Sequence, residues 1–343
     1  MARGNMSNRP TVSVCIANYN GMDIIDACIE SVLEQDCSFP VEIIVHDDAS
    51  TDGSAQYIRE HYPDVKLLES IENAGFCLAN NRMVENASGE YVLLLNNDAA
   101  LAPDALTTLY ECALQQAPQG VLTLPQYDWE TNKLVDRGCL LDPFYNPVPN
   151  HDSLRSHVAM VIGACLWIPR TLWHQLGGFP EWFESVAEDM YLCCRARLAG
   201  YPVQVTHHSH YRHHQGASFG GNRASGNRLV TTYRRRRLSE RNKTFVMVLC
   251  SPPLRLWLTL PPHLALLALE GVLLVIIRRD GKLWREVYGN VFTSLAEKVS
   301  ALRQERKYIQ ATRSLSGHAY SRCFLWMPRK LQLLMRYGLP SLR

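Results

Sequence analysis

The residues best placed to do chemistry in this sequence follow directly after short apolar runs. The run at residues 91–95 leads at once into Asn96, Asn97 and Asp98. A carboxylate in that position could hold a divalent cation, which would offset the charge of a departing diphosphate. Asparagine and aspartate are also common in turns, so this cluster means little by itself. Asp98 is nevertheless the candidate metal ligand.

Two earlier apolar runs end in the same way. Asn18 and Asn20 follow the run at residues 12–17, and Asp47 follows the run at residues 41–46. A carboxylate at the carboxyl end of a strand can accept the imide N–H of a pyrimidine, and the Thr-Asp-Gly sequence at residues 51–53 supplies a turn and a helix cap beyond it. The alternative is an ordinary polar turn between a strand and a helix.

Two acidic residues stand at the start of a later helical pattern. Glu188 and Asp189 follow the Gly-Gly-Phe sequence at residues 177–179. A carboxylate at a helix N-terminus is fixed in orientation, which suits a general base that takes a proton from an attacking hydroxyl. Acidic residues also favour helix starts for structural reasons alone.

Histidines are concentrated in one short segment. Five of the twelve lie within eight positions, namely His207, His208, His210, His213 and His214. A histidine paired with an aspartate could complete a site for Mg²⁺ or Mn²⁺, whereas a solvated loop is the alternative. Zinc is less favoured because the segment contains no cysteine.

The elements that must position these residues follow from periodicity. Apolar runs at residues 12–17, 41–46, 65–68, 91–95 and 121–124 alternate with helical spacing, as at residues 105–114. Alternation of this kind predicts an α/β fold with a Rossmann-like, mostly parallel sheet. Ligands of such sheets bind beyond the carboxyl ends of the strands, where the polar clusters occur. A further strand is predicted at residues 158–168 and a helix at residues 189–198.

The last hundred residues are markedly more apolar. Residues 264–277 have no polar face, but a spanning helix needs about 20 apolar residues, and prolines at 252, 253, 261 and 262 are expected to divide the region into shorter pieces. We therefore expect helices that lie on a membrane surface, anchored by Arg278, Arg279 and Lys282, with packing on the catalytic domain as the alternative. The predicted organisation is a disordered segment 1–10, a catalytic domain 11–243 and a helical membrane-associating region 244–343.

Composition limits the remaining possibilities. The 343 residues carry a formal net charge of +2, which gives no global attraction to nucleic acid. The eleven cysteines show no paired C-x-x-C spacing, which is typical of a reducing compartment. The N-terminal residues lack the pattern of a secretory signal. The expected location is cytoplasmic, peripheral on the inner face of the plasma membrane.

Taken in order, these motifs resemble those of the family 2 inverting glycosyltransferases of GT-A fold. The resemblance covers residues 10–240. Within the family, the sequence is most similar to the rhamnosyltransferase-type enzymes of bacterial surface-polysaccharide assembly. It rests on the following segments: Ala-Asn-Tyr-Asn at 17–20, Val-His-Asp-Asp-Ala-Ser-Thr-Asp-Gly at 45–53, Asn-Ala-Gly-Phe at 73–76, Asn-Asn-Asp at 96–98, Gly-Gly-Phe at 177–179, Glu-Asp at 188–189, and His213. Asn96 stands where the family usually has the first aspartate of its metal motif.

The resemblance implies a role for each matching residue. Asp189 would be the catalytic base with Glu188 in support, and Asp98 and His213 would hold the metal, with His214 as the alternative ligand. Trp167, Trp182 and Arg195 would lie near the acceptor or the donor phosphate. The expected nucleotide-binding residues are Asn18, Asn20, Asp47, Asn73, Asn81, Asn96 and Asn97.

The implied reaction is transfer of a sugar, with rhamnose from dTDP-rhamnose as the leading candidate, to a saccharide or lipid-linked acceptor, with Mg²⁺ or Mn²⁺. One alternative is a nucleotidyltransferase, but residues 18–21 lack the basic residue of its phosphate loop. The other is a non-catalytic membrane or nucleic-acid adaptor that uses the arginine run 234–237.

Overall fold

The computed structural model describes residues 10–214, 223–225, 228–337 and 341–342. The segment predicted to be disordered therefore lies, apart from Pro10, outside the described residues. The strands are β1 Val12–Asn18, β2 Val41–Asp47, β3 Lys66–Glu69, β4 Tyr91–Asn96, β5 Ala99–Leu101, β6 Val121–Thr123, β7 Gln126–Asp128, β8 Leu134–Asp136, β9 Cys139–Leu141, β10 Pro147–Pro149, β11 Cys165–Pro169, β12 Val203–Val205, β13 Tyr211–His213, β14 Arg223–Ser225, β15 Arg228–Thr231 and β16 Ser341–Leu342.

The helices are α1 Ile25–Leu33, α2 Ser54–His61, α3 Phe76–Glu85, α4 Ala105–Gln115, α5 Arg170–Leu176, α6 Glu188–Leu198, α7 Tyr233–Cys250, α8 Pro253–Arg278, α9 Gly289–Glu297, α10 Val299–Ala311, α11 Gly317–Ser321 and α12 Arg329–Tyr337. A 3₁₀ turn at Glu181–Phe183 precedes α6, and a π-helical turn at Leu283–Tyr288 precedes α9.

A seven-stranded sheet organises the fold, in the order β12-β6-β11-β4-β1-β2-β3. Only β11 runs antiparallel to its two neighbours, and the other pairs are parallel. Strands β1 and β4 consist almost entirely of buried residues, because both faces of the sheet are covered by helices. The predicted α/β class with a mostly parallel sheet is confirmed.

The parallel register aligns three strand ends at one edge of the sheet. Asn18 of β1 is the register partner of Asp47 on β2, and Asn96 of β4 is the partner of Ala17. Polar residues that are far apart in sequence are therefore delivered to one edge, as the predicted architecture requires.

A second, four-stranded sheet in the order β5-β13-β7-β8 extends this edge. Strand β5 begins directly after Asp98, and β13 pairs with it in antiparallel register so that His213 lies opposite Ala99. The backbone N–H of His214 also donates to the carbonyl of Asp98, with an N···O distance of 2.9 Å. This pairing brings residues that are 115 positions apart into contact.

The C-terminal region is packed into the main core. Helix α7 crosses the boundary predicted at residues 243–244, and its buried Phe245 joins a hydrophobic cluster with sheet residues and with Leu302, Ile309 and Tyr320. The second large cluster, on the opposite face of the sheet, is built from the N-terminal helices and strands. Residues 244–250 and α10 are therefore structurally part of the sheet domain's core.

Two expectations for the secondary structure are wrong. The strand predicted at residues 158–168 is limited to β11, because residues 158–162 instead bond to β9, β12 and Cys193. The prolines at 261 and 262 do not divide the apolar region, since α8 runs unbroken through both of them. It is the one described helix that is long and apolar enough to cross a membrane, by length and composition alone.

Candidate active site

Asn18 connects the ends of three strands. Its side chain is buried, and its Nδ2 donates to Asp47 Oδ2 and to Ser54 Oγ, each at 2.9 Å. Its Oδ1 accepts a hydrogen bond from Asn97 Nδ2, also at 2.9 Å. Gly21 borders this network, and a Cβ there would lie 2.2 Å from Asn18 Oδ1, so only glycine fits. The predicted residues Asn18, Asp47 and Asn97 thus form one hydrogen-bonded group.

Asn20 shapes the loop that follows β2. Its Oδ1 accepts from the backbone N–H of Thr51 at 2.8 Å, and its own N–H donates to Ser50 Oγ at 2.8 Å. Asp47 Oδ1 accepts from the N–H of Ser50 at 2.9 Å. The loops after β1 and β2 are therefore joined, and the exposed Asn20 lies at their surface.

Asp48 is a structural residue of the site that the sequence analysis did not single out. Its carboxylate accepts from the backbone N–H groups of Ala74 at 2.7 Å and Gly75 at 2.9 Å. Asn73, which was predicted to bind nucleotide, is exposed, and its Nδ2 lies 3.4 Å from the carbonyl of Asp48. A second acidic residue after Asp47 was the available signal, but its partners lie in a distant loop.

Asn81 has a different setting from the other predicted nucleotide-binding residues. Its Oδ1 accepts from the N–H of Phe179 at 3.0 Å, and its Nδ2 donates to the carbonyl of Phe179 at 2.9 Å. The amide thus joins α3 to the Gly-Gly-Phe segment. Both of its polar atoms are engaged with protein backbone.

Asp98 and His213 form a buried pair. His213 Nε2 lies 3.0 Å from Asp98 Oδ1, and both residues are at least nine-tenths buried. Gln126 Oε1 accepts from the Tyr211 hydroxyl at 2.8 Å, and Gln126 Nε2 lies 3.2 Å from His213 Nδ1. This arrangement leaves His213 Nε2 as the atom directed at Asp98.

The donor set of this pair suits a hard divalent cation. Carboxylate and imidazole are both suitable ligands for Mn²⁺, and Mg²⁺ prefers oxygen. Asn96 Oδ1 is buried, and no donor among the described residues meets it. Within the described part of the chain no third His, Cys, Asp or Glu completes a cluster, so the other ligands would come from substrate oxygens and water. The residues present therefore fit a cation shared with a diphosphate.

A cleft of about 230 Å³ opens beside this pair. It is lined by residues at the start of α1, at the start of β5 and directly after β7 and β13: Asp23, Ile24, Ala27, Asp98, Ala99, Trp129 and His214. His214 stacks on Trp129 with ring centroids 4.3 Å apart. His213 and His214 thus have different roles in the structure, the first against Asp98 and the second on the cleft wall.

Glu188 and Asp189 occupy the first turn of α6, as predicted. Asp189 Oδ2 accepts from the N–H of Gly163 at 3.0 Å, and the carbonyl of the next residue, Ala164, accepts from the N–H of Asn96 at 3.1 Å. Asp189 is therefore two hydrogen bonds away from the end of β4. The carboxylate pair and the Asp98–His213 pair lie along the same edge of the sheet.

Burial makes both carboxylates harder to ionise. Glu188 is buried, with its Oε2 unmatched by any described hydrogen-bond partner, and burial together with the neighbouring Asp189 charge raises the pKa of Glu188 to about 8. Burial likewise raises the pKa of Asp189, while N–H donors from Gly163 and Met190 oppose that shift. The positive charge of Arg235 favours ionisation of both. A carboxylate with a raised pKa is a stronger base once it is ionised.

The turn that leads into α6, residues 183–187, is strained. Glu184, Val186 and Ala187 have φ values of 65°, 70° and 71°. Left-handed backbone costs about 1–2 kcal/mol at a non-glycine residue, and it is an outlier for a β-branched residue such as Val186. Asn242 of α7 donates from Nδ2 to the carbonyls of Phe183, Ser185 and Val186 at 2.9, 2.9 and 2.8 Å.

Of the three further residues that the resemblance implied, only Trp182 keeps substantial exposure, at 36%. Trp167 is fully buried in β11 and stacks on Tyr91 with ring centroids 5.0 Å apart, so it belongs to the core. Arg195 is buried between α6 and α10, where it donates to the carbonyl of Leu176 and lies 3.9 Å from Glu305. The expectation that Trp167 and Arg195 contact substrate is wrong, since Trp167 is enclosed in the core of the sheet and Arg195 is buried where α6 packs against α10.

Comparison with known proteins agrees with the architecture. The model of glycosyl transferase family 2 matches residues 13–177. An uncharacterized glycosyltransferase, YibD of Escherichia coli K12, is 39% identical over 113 residues, which are 32% of each chain, so this chain spans about a third of that relative. An N-acetylglucosaminyl-diphospho-decaprenol L-rhamnosyltransferase of Mycobacterium tuberculosis is 27% identical over 216 residues, 54% of this chain and 70% of that protein.

The structural comparison concerns the fold. A mannosyltransferase from Pyrobaculum calidifontis, PcManGT, whose structure is a complex with GDP-Man and Mn²⁺, has a TM-score of 0.51 at 20% identity, covering 89% of this chain and 86% of that one. Staphylococcus aureus TarS, residues 1–349, has a TM-score of 0.52 at 17% identity, covering 91% and 90%. Because about nine-tenths of this chain is covered, both alignments extend beyond the sheet into the helical C-terminal region.

Proposed function

Because residues 13–177 are a glycosyl transferase family 2 domain in a GT-A fold, we propose that this chain transfers a sugar from a nucleotide diphosphate donor to an acceptor hydroxyl with inversion. One observation carries the proposal. The Asp98–His213 pair and the Asp189 carboxylate lie along one sheet edge, joined through the hydrogen bonds of Gly163 and Ala164.

Each group has a distinct task in this reaction. Asp189 takes the proton from the acceptor hydroxyl, and a single displacement then inverts the anomeric carbon. Glu188, buried against it, keeps the local charge low until the pair ionises. Placing the hydroxyl and the base correctly supplies much of the acceleration.

The donor occupies the other part of the edge. Asn18, Asn20, Asp47, Asn73, Asn96 and Asn97 surround the ends of β1, β2 and β4 and are the proposed contacts for the nucleotide, and Asn81 supports them through Phe179. Asp98 and His213 would hold Mg²⁺ or Mn²⁺, which supplies positive charge against the leaving diphosphate. The GDP-Man and Mn²⁺ in the PcManGT complex support a nucleotide sugar and a divalent metal at such a fold.

The donor sugar is proposed to be rhamnose, from dTDP-rhamnose, and the acceptor a saccharide or lipid-linked saccharide of cell-surface polysaccharide synthesis. The support is the similarity to the mycobacterial rhamnosyltransferase, whose name specifies a diphospho-decaprenol acceptor. At 27% identity this similarity supports the class of reaction better than the sugar.

We also propose that the protein is cytoplasmic and peripheral on the inner face of the plasma membrane, with α8 lying along the bilayer surface. One face of α8 exposes Leu254, Trp257, Leu258 and Ile276 among other apolar side chains. Arg278 and the following Arg279 and Lys282 stand at its C-terminal end, where they would meet anionic headgroups.

The opposite face of α8 argues against a spanning orientation. Glu270, in the second half of the helix, bonds Arg236 of α7 at 2.5 Å and Lys330 of α12 at 2.6 Å. Helix α7 is itself fixed in the main core through Phe245. Crossing a bilayer would carry these charges into hydrocarbon, at a cost of about 2.5–3.5 kcal/mol for each charge near the centre.

The function is tested by a panel of nucleotide sugars scored by release of the nucleoside diphosphate. We expect release from at least one donor, dTDP-rhamnose first, and its loss when EDTA removes the metal. Formation of a nucleotide sugar from a sugar phosphate with release of pyrophosphate would instead identify a nucleotidyltransferase. An absence of release from every donor, with and without lipid-linked acceptor, would contradict the proposal and favour a non-catalytic adaptor.

A further inference from the structure

Resting on the proposed role of Asp189 as the base, we propose that Asn242 of α7 is a positioning residue. Its side chain holds the 183–187 turn in the strained conformation that presents Glu188 and Asp189. Asn242 is fully buried, and its Nδ2 donates to three backbone carbonyls of that turn at 2.8–2.9 Å. Nothing in the sequence pattern around Asn242 resembles a catalytic motif.

The orientation of the Asn242 amide is fixed by its partners. Its Oδ1 accepts from Arg241 Nε at 3.0 Å, while its Nδ2 faces the carbonyls of the turn. A flipped amide would place Oδ1 against three carbonyl oxygens, so the donor side must face the turn. Arg241 reinforces the contact, because its Nη2 donates to the carbonyl of Phe183 at 3.3 Å and to Glu184 Oε1 at 3.1 Å.

The turn has other hydrogen bonds, from the N–H of Ser185 to the carbonyl of Phe183 at 2.8 Å and from the N–H of Cys77 to the carbonyl of Glu184 at 3.2 Å, but Asn242 contacts more of its carbonyls than either. Three of its residues have positive φ without being glycine, and Ala187, the residue that caps α6, has no side-chain group to cap the helix. Strained backbone of this kind persists only where surrounding structure determines it, and it is concentrated at functional sites. The orientation of the first turn of α6, and with it that of Asp189, is therefore held by α7 together with the N–H of Gly163 that donates to Asp189 Oδ2.

Through Asn242, the C-terminal region helps to determine the geometry of part of the proposed active site. Both α6 and α7 lie outside residues 13–177, which the family model matches. Asn242 links the base to a helix whose other end is buried in the main core. A base held by a rigid element keeps its geometry better than one on a free loop.

The test compares Asn242→Ala with Asn150→Ala. Asn150 is a close match, since it is 4% exposed and its Nδ2 also approaches three carbonyls, those of Arg137, Asp152 and Arg155, at 3.1, 3.5 and 3.3 Å. We expect Asn242→Ala to lower kcat for transfer by about 30-fold or more, with the donor KM changed by less than about threefold, because a small misplacement of a catalytic group can cost about 100-fold. Asn150→Ala should leave kcat within about threefold.

A second readout does not depend on turnover. Hydrogen exchange of the peptides covering residues 183–190 should become faster in Asn242→Ala and remain unchanged in Asn150→Ala. Adding Ala187→Gly to Asn242→Ala should recover part of the lost kcat, because glycine adopts positive φ without strain. If Asn242→Ala does not fold, Arg241→Ala should show the same changes to a smaller extent.

Unchanged exchange across residues 183–190 would overturn the proposal, and so would faster exchange accompanied by full kcat. Faster exchange in Asn242→Ala, found together with a wild-type protein that transfers no sugar, would support the role of Asn242 in holding the turn and refute the proposed function instead.

Discussion

Glu188 and Asp189 act as one titrating pair. Their carboxylates are adjacent, Glu188 buried and Asp189 half-buried, so the first proton leaves at a pH that belongs to the pair. The Asp98–His213 pair is different, because Asp98 faces an imidazole. In the proposed reaction the two acidic groups have opposite tasks, since Asp189 accepts a proton and Asp98 would hold a metal.

Glu188→Gln should make stability less dependent on pH. Because the pKa of Glu188 is raised to about 8 in the folded protein, its stabilising contribution is present below the unfolded value near 4.5 and is lost as pH rises through about 8. A pKa unit corresponds to about 1.4 kcal/mol, so a loss of a few kcal/mol is expected in the wild type.

Denaturant unfolding at pH 5 and pH 8.5 measures this difference. The variant should lose clearly less stability than the wild type over that interval, with the exposed Glu181→Gln as the control. An equal loss in Glu188→Gln and wild type would refute the buried, protonated Glu188.

His213→Ala should weaken metal use more than His214→Ala. The reason is geometric, since His213 Nε2 faces Asp98 while His214 stacks on Trp129. We expect the metal concentration for half-maximal transfer to rise by at least about tenfold for His213→Ala. His210→Ala serves as the control, and a larger rise for His214→Ala would assign the metal to the other histidine.

At the scale of elements, the pairing of β5 with β13 brings Asp98 and His213 together. Sequence spacing suggested His213 as the partner of Asp98 by resemblance, but the antiparallel contact between two three-residue strands cannot be read from periodicity, because such strands are too short to show it. The long strands β1, β2 and β4 were predictable, since each is a continuous buried run. The position of the polar residues at the carboxyl ends of these strands followed directly from that prediction.

The continuity of helix α8 through two prolines could not be predicted from the sequence. Pro261 and Pro262 were expected to interrupt it, yet the helix continues through both. Loss of backbone donors at two prolines is tolerated where neighbouring groups stabilise the helix, and His263 of α8 bonds Thr244 Oγ1 at 2.8 Å. Contacts of this kind lie far apart in sequence and are invisible to a local pattern.

The exposed face of α8 gives a prediction at this scale. Leu258→Asp combined with Ile276→Asp should reduce binding to vesicles that contain anionic lipid by more than about tenfold, because each leucine-sized side chain contributes about 1.5–3 kcal/mol when it leaves water. Co-sedimentation measures the binding. Leu33→Asp and Leu114→Asp, two exposed leucines on helices of the sheet domain, are the matched control. Equal binding of both double variants would contradict the proposed membrane face.

At the scale of the whole molecule, the catalytic sheet and the C-terminal helices share one core. Phe245 and Leu302 lie in the same cluster as Leu94 and Leu166 of the sheet. The composition change near residue 244 suggested a boundary, but composition does not reveal which apolar residues pack together. The contact of α7 with the turn before Glu188 and Asp189 is one consequence of this shared core.

Leu302→Ala should therefore destabilise the whole protein. Removal of a buried leucine typically costs about 2–5 kcal/mol, and here the cost should be shared by the sheet and the C-terminal helices. Denaturant unfolding should show one transition, shifted to lower denaturant, by both circular dichroism and tryptophan fluorescence. Exposed Leu331→Ala is the control, and a separate early transition of the C-terminal helices in Leu302→Ala would contradict a shared core.

Sugar transfer by Asp189→Asn, compared with its binding of the donor nucleotide, separates the proposed base from the donor site. The amide keeps the size of the carboxylate but cannot accept the proton of the acceptor hydroxyl. We predict donor affinity within about threefold of the wild type and a loss of transfer of at least about 100-fold. Transfer at the wild-type rate would show that Asp189 is not the base and would contradict the account.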